Sequence, residues 1–240
     1  MKCFKWTVVA LYALGFVLPA GAQIRFGLIS GLNLANVSLS PRDFEDDFNF
    51  SSLTAIGFGG VLDLRVAENI ALQLEPMFLQ KGARFDVVSH ELEDGEVNLY
   101  QNIGKARLSY LEIPAMLKVA FGAGTAQPYV MAGPMIGFLL SSKLSGAYQG
   151  IDNEDSGTFD EEFETSLFPL KSIDFGLAFG AGIKIPAGNS SIFIQGRYGL
   201  GLTDISDERN IDDTDDDLFG ISLKNKGFQI MTGITFPVGQ

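Results

Sequence analysis

The sequence has 240 residues, 29 of them acidic and 17 basic, a formal charge of −12, with 46% hydrophobic residues, one cysteine and one histidine. A chain this acidic repels nucleic acid, and one cysteine cannot build a disulfide framework. No run of about 18 apolar residues is present, which excludes a helical membrane protein.

The chain opens with Lys2 and Lys5, then an apolar run from Trp6 to Leu18, then "PAGAQ", in which Ala20 and Ala22 form an A-x-A cleavage signal. This pattern predicts a secretory signal peptide over residues 1–22, its apolar core too short to span a bilayer, and Gln23 as the first exported residue. Cys3 leaves with the signal. Loss of Lys2 and Lys5 reduces the 17 bases to 15 against 29 acids, a formal charge of −14. Residues 23–240 read as one β domain.

Eight segments of that domain alternate with a period of two. Residues 24–34 set Ile24, Phe26, Leu28, Leu32 and Leu34 against Arg25, Gly27, Gly31 and Asn33. Residues 54–66 set Ile56, Phe58, Leu62, Leu64 and Val66 against Asp63 and Arg65; residues 70–81 set Ile70, Leu72, Leu74, Pro76 and Phe78 against Gln73, Glu75 and Lys81. In residues 108–121, Leu111, Ile113, Leu117, Val119 and Phe121 oppose Tyr110, Glu112, Pro114, Met116 and Lys118. A helix would scatter those two charges among apolar neighbours; a strand sorts them. Residues 129–142, 173–185, 192–202 and 228–236 repeat the pattern, with Asp174, Lys184, Gln195, Arg197 and Gln229 on the mixed face. In every segment the charges fall on the non-apolar parity.

Each segment is long enough for a tilted strand to cross a bilayer, which takes roughly 9–11 residues. Short links, "AEN", "GAGTAQ" and "PAGNS", alternate with four long ones, and the long ones hold 24 of the 29 acids. This is the layout of an all-β fold: an eight-stranded antiparallel up-and-down transmembrane β-barrel with four long outer loops and short periplasmic turns. The apolar faces then meet lipid. Arg25, Asp63, Arg65, Glu75, Lys81, Glu112, Lys118, Asp174, Lys184 and Arg197 point inward as structural charges that compensate one another.

The stretches "LQLEPMFLQKGARF" (72–85), "LSYLEIPAMLKV" (108–119), "PYVMAGPMIGFLLSSK" (128–143), "IDFGLAFGAGIKI" (173–185) and "QGRYGLGLTDI" (195–205) together resemble the small outer-membrane β-barrel family labelled "porin family protein", to which PorT-like proteins are related. The resemblance implies an eight-stranded barrel in the cell outer membrane; the label itself is no sign of a pore. One departure is the end of the chain, where Phe236 is followed by "PVGQ" although such barrels commonly finish on an aromatic residue.

Chemistry is sparse. His90 stands beside Ser89 in the second long connection, but neighbours in an extended chain point apart, so no serine–histidine pair is expected. "DDTDDD" (212–217) has the carboxylates of a calcium loop, yet Leu218 stands where an EF-hand needs glycine and Lys224 where it needs glutamate, leaving loose divalent-cation binding by a solvated loop. The phenylalanines of "DFEDDFNF" (43–50) and "FDEEFETSLF" (159–168) are expected to pack over the barrel mouth. Inward glycines are expected to be covered, since an eight-stranded interior is only wide enough for side chains.

The expected function is a non-enzymatic outer-membrane barrel whose acidic loops serve envelope integrity or surface interaction. It needs no cofactor, its partners are outer-membrane lipid and an unidentified protein, and it binds no nucleic acid. A narrow diffusion channel is the alternative, and the PorT-like kinship implies an accessory secretion subunit as another. Pro76, Pro114 and Pro134 are expected at one height on the third, fourth and fifth strands, with a bulge or a hydroxyl from Tyr110 or Tyr129 serving the backbone groups they leave unpaired.

Overall fold

A computed structural model describes residues 23–40, 49–93, 96–122, 124–151, 155–162, 170–206 and 222–238. The signal-peptide segment 1–22, the "DDTDDD" run and most of the phenylalanine-rich loop stretches lie outside the described residues.

Among the described residues eleven strands follow in chain order: β1 (Gln23–Ser40), β2 (Asn49–Ser51), β3 (Leu53–Arg65), β4 (Ile70–Leu74), β5 (Met77–Glu93), β6 (Glu96–Ala120), β7 (Gln127–Gly150), β8 (Ser156–Glu162), β9 (Ile173–Ala187), β10 (Ser190–Gly201) and β11 (Ser222–Pro237). β1 pairs with β3 on one side and β11 on the other, and the remaining ladders run β3 to β4 and β5, then β6, β7, β9, β10 and β11. β4 and β5 share one place in the wall, so the ring closes through eight antiparallel positions, with β2 and β8 added as edge strands on one side. Both ends of the wall meet where Arg25 faces Pro237, at the end that carries the short turns.

The period of two sorts the side chains. Phe26, Leu28, Phe58, Leu117, Phe175, Ile194 and Ile230 stand exposed on the outer face, while Asn33, Glu75, Glu112, Asp174, Gln195 and Arg197 are buried inside. Apolar exposure on that scale is what a bilayer, and not water, accommodates. At the turn between β9 and β10 Ala187 pairs with Ser190, and Gly188 takes φ 62°, which a two-residue hairpin requires and a side chain resists.

The second long connection is strand almost to its tip. β5 and β6 pair without a break from Met77–Glu112 to Glu93–Glu96, and β7 follows β6 out to Tyr100–Gly150. β2 adds to β5 and β8 to β7, so a five-stranded sheet rises beyond the apolar belt. His90 is therefore a strand residue, exposed and paired with Leu99, and Ser89 accepts a hydrogen bond from Asn102 Nδ2 at 2.8 Å. The alternation that marks a strand in lipid is not imposed beyond the belt, although the backbone ladder continues.

The three prolines fall within one ladder step of Pro114. Leu74 pairs with Ala115 and Met77 with Glu112, so Pro76 lies across from Ile113, while Pro134 lies across from Ala115. The strand is interrupted there at Glu75–Pro76, and the β6–β7 ladder skips Ala115 and Met116, which still pair with Leu74 and Gln73 of β4. Gly60 N–H still donates to the Pro76 carbonyl at 2.9 Å and Glu75 N–H to the Pro114 carbonyl at 3.2 Å. The expected tyrosine donors act elsewhere: the Tyr129 hydroxyl donates to Gln195 and the Tyr110 hydroxyl accepts from Asn225. The register shift in this pair of strands also sits away from the prolines, between Ser109 and Tyr110.

Candidate functional site

Among the described residues, the buried charges Asp63, Glu75, Lys81, Glu112, Lys118, Asp174 and Arg197 all lie in the interior of the barrel. Nearest the short turns, Lys118 from β6 forms an ion pair with Asp63 from β3, donates to Gln73 Oε1 at 2.6 Å, and lies 5.2 Å from the ring centre of Tyr129. Gln73 then donates to Glu75, which forms an ion pair with Arg197 across the lumen from β10. Glu75 also accepts from Gln195 Nε2 at 2.9 Å, and Gln195 accepts from the Tyr129 hydroxyl at 2.9 Å. Arg197 donates to Gln229 and reaches Met77 Sδ at 3.0 Å.

A second cluster lies toward the long connections. Lys81 Nζ stands 2.6 Å from Glu112 and 3.0 Å from Asp174, with the Tyr110 ring 4.9 Å away. Asn225 Nδ2 donates to Asp174 at 3.0 Å. Between Asn33, Lys81, Glu112, Asn225 and Gln229 the packing leaves a cavity of about 10 Å³, no more than one water needs.

Arg25, Arg65 and Lys184 are only half-buried and line the short-turn mouth. Arg25 donates to Ser191 Oγ at 3.2 Å and to the Thr235 carbonyl at 3.0 Å, and Arg65 donates to Gln23 at 3.1 Å. Among the described residues Lys184 makes no ion pair. The compensating cations of the deep lumen are thus Lys81, Lys118 and Arg197.

Charges held this deep cost several kcal/mol each unless paired and hydrogen-bonded. The amides of Gln73, Gln195, Gln229 and Asn225 supply those bonds to Lys118, Glu75, Arg197 and Asp174, whereas Glu112 is held by its ion pair with Lys81. The parity of Gln73, Gln195 and Gln229 was legible in the sequence, but nothing in a single strand says which carboxylate an amide will meet across a barrel. Asn225 falls outside the alternating segment that begins at Phe228. Aromatic rings cover inward glycines: a methyl group added at Gly182 would lie 2.5 Å from the Tyr129 ring, and one at Gly233 would lie 2.4 Å from Phe193.

Beyond the belt, Asp204 fastens the fourth long connection. Its carboxylate accepts from the Ser206 hydroxyl at 2.7 Å, Ser206 N–H at 3.1 Å and Leu223 N–H at 2.9 Å, while its carbonyl accepts from Lys171 at 2.9 Å. Partial burial alone would raise its pKa; the bonds from Ser206, Leu223 and Ser222 outweigh that and hold it below the usual aspartate value.

The closed eight-position ring has an apolar exterior and a charged interior, and the outer membrane protein beta-barrel domain model matches residues 20–207. The chain belongs to that outer-membrane β-barrel family. Among solved structures, the barrel is similar to the outer membrane protease OmpT from Escherichia coli, with 11% identity, a TM-score of 0.52, and coverage of 90% of this chain and 96% of that one. It is also similar to Neisserial surface protein A, with 11% identity, a TM-score of 0.44 and coverage of 90% and 98%. Ail, the attachment invasion locus protein of Yersinia pestis, matches with 13% identity, a TM-score of 0.35 and coverage of 90% and 97%. Likeness at this identity speaks for the fold alone. No curated protein sequence matches the chain.

Proposed function

We propose that this outer-membrane barrel neither conducts nor catalyses, and that it serves as a membrane-held platform whose protruding β2–β5–β6–β7–β8 sheet and acidic loops engage a partner at the cell surface. The observation that carries this reading is the contrast between the two halves of the molecule. The lumen is crossed by the Glu75–Arg197 and Lys118–Asp63 ion pairs and their amides, whereas the longest strands, β6 with 25 residues and β7 with 24, run far past the apolar belt. A strand of 25 residues extends roughly 80 Å at about 3.3 Å per residue, well over what a tilted crossing uses. Such length is wasted on a pore and suited to a surface display. Residues 1–22 act in this reading as the cleaved export signal, and N-terminal sequencing of protein taken from membranes should begin at Gln23.

Planar-bilayer recording with the refolded protein tests the closed lumen: no unitary conductance is expected, and reproducible ohmic steps would overturn it. Protease treatment of intact cells tests the orientation. Cleavage within the β5–β6 hairpin from outside is expected, and complete resistance there with cleavage at the short turns would reverse the assignment of the two ends.

A further inference from the structure

The outer face of β5, β6 and β7 changes character in successive ladder rows. Phe78, Leu111 and Phe138 form an apolar row, Gln80, Ser109 and Ser141 the next, Gly82, Arg107 and Lys143 the one after, and Arg84, Lys105 and Ser145 the last. Arg84 thus stands directly opposite Lys105, and Arg107 directly opposite Lys143. Like charges at directly opposed positions repel and weaken a sheet. The chain does not lack acids with which to avoid this, since it has 29 of them against 17 bases.

Neighbouring acids answer the charge only in part. Lys143 Nζ pairs with Asp160 at 2.9 Å, and Asp86 on the same face accepts from Gln101 at 3.0 Å. Arg84, Lys105 and Arg107 have no ion pair among the described residues, and Arg107 Nε is shielded from solvent with no hydrogen-bond partner. Four strand residues separate the Phe78 row from the Gly82 row, which at about 3.3 Å per residue and a tilt of roughly 40° places the cations about 10 Å above the apolar row, in the head-group layer.

We propose that Arg84, Lys105 and Arg107 form a site for the phosphate of a membrane lipid head group at the outer surface. A phosphate monoester fits the observations: it supplies about two negative charges to three cations that have no ion pair of their own among the described residues, and its oxygens accept the forked bonds that a guanidinium donates. Beneath the cations, Gln80 and Ser141, with Ser109 buried between them, meet the sugar or glycerol portion, and the Phe78 row together with the exposed Leu140 meets the acyl chains.

The test uses the full mature protein in nanodiscs of phosphatidylcholine doped with lipid A that carries its phosphates or with the same lipid dephosphorylated. Unfolding is read by heat-modifiable gel mobility. The midpoint of the wild type is expected to rise by about 5 °C with the phosphorylated lipid only, as ligand linkage requires, and the rise should shrink in about 0.5 M salt. The variant R84Q/K105Q/R107Q, relieved of the opposed charges, should have an undoped midpoint no lower than that of the wild type and should lose the rise. A second reading needs no variant: acetylation of Lys105 should slow in the phosphorylated discs. An equal rise in wild type and variant, or Lys105 reacting at one rate in all discs, overturns the proposal. So does Lys105 protection that depends on protein concentration in lipid-free detergent, which would mark a second copy as the occupant.

Discussion

At the scale of single residues, the decisive group is Arg197, 1% exposed and held by Glu75, which is fully buried. Glu75→Ala leaves the guanidinium uncompensated and is expected to cost about 3–5 kcal/mol. The double change Glu75→Leu with Arg197→Met removes both charges and is expected to be far milder; urea unfolding in vesicles compares them. A second residue-scale prediction concerns Asp204. Its folded pKa lies below the unfolded value, so its contribution is present above the unfolded pKa of about 3.9 and is lost as pH falls through the lower, folded one. Stability in the acid range should therefore depend less on pH in Asp204→Asn than in the wild type, measured as unfolding midpoint from neutral pH downward. Gly182→Val should displace the Tyr129 ring from Gln195 and cost about 1–3 kcal/mol, because the neighbour it would strike is a packed ring and the Ile194 carbonyl.

Elements behave according to how completely their ladders close. β9 and β10 pair without interruption from Ala187–Ser190 to Gly176–Gly201, whereas the β4–β6 and β6–β7 ladders break beside Pro76, Pro114 and Pro134. Amide exchange is expected to be faster at Ala115 and Met116 than at Ile183 and Gln195; equal protection at both places would remove the idea of a weak seam. The strand limits show what a sequence can and cannot tell. Within the belt, lipid on one side and polar packing on the other impose a period of two, so residues 173–185 announce their faces by themselves. Above it, Val88 and Ile103 are exposed while Tyr100 is buried against Tyr148, no lipid imposes one apolar face, and the ladder from Asp86–Ile103 to Glu93–Glu96 left no clean alternation in the sequence. Removing residues 88–101 from that hairpin should leave heat-modifiable mobility intact, since none of the lumen pairs lies there.

For the molecule as a whole, the inward set of charges could be read from parity, but not the partnership within it. Lys118 meets Asp63 because β4 brings Gln73 between β3 and β6, and Glu75 meets Arg197 across the full diameter of the ring. Those distances depend on stagger and closure, which are properties of the wall and not of any strand. The same closure separates the two functions that eight positions can serve. Met77, Met116, Met231, Tyr110 and Arg197 fill a ring this narrow, and in the proposed reading what varies usefully is what stands outside the membrane.

The ladder between β1 and β11 also fixes an order of events. It joins Arg25 to Pro237 and Ser40 to Ser222, the first and last strands of the wall. While the chain is being delivered, β1 can find β3 at once, but its other edge waits for the final segment with its hydrogen-bonding groups open from Arg25 to Ser40. An open apolar edge of that length recruits other chains, and contacts so distant in sequence form slowly. Arrival of β11 is therefore the moment at which the protein stops being an aggregation hazard, and a chain cut just before Phe228 should accumulate as an insoluble species, where one cut within the β5–β6 tip and rejoined should not.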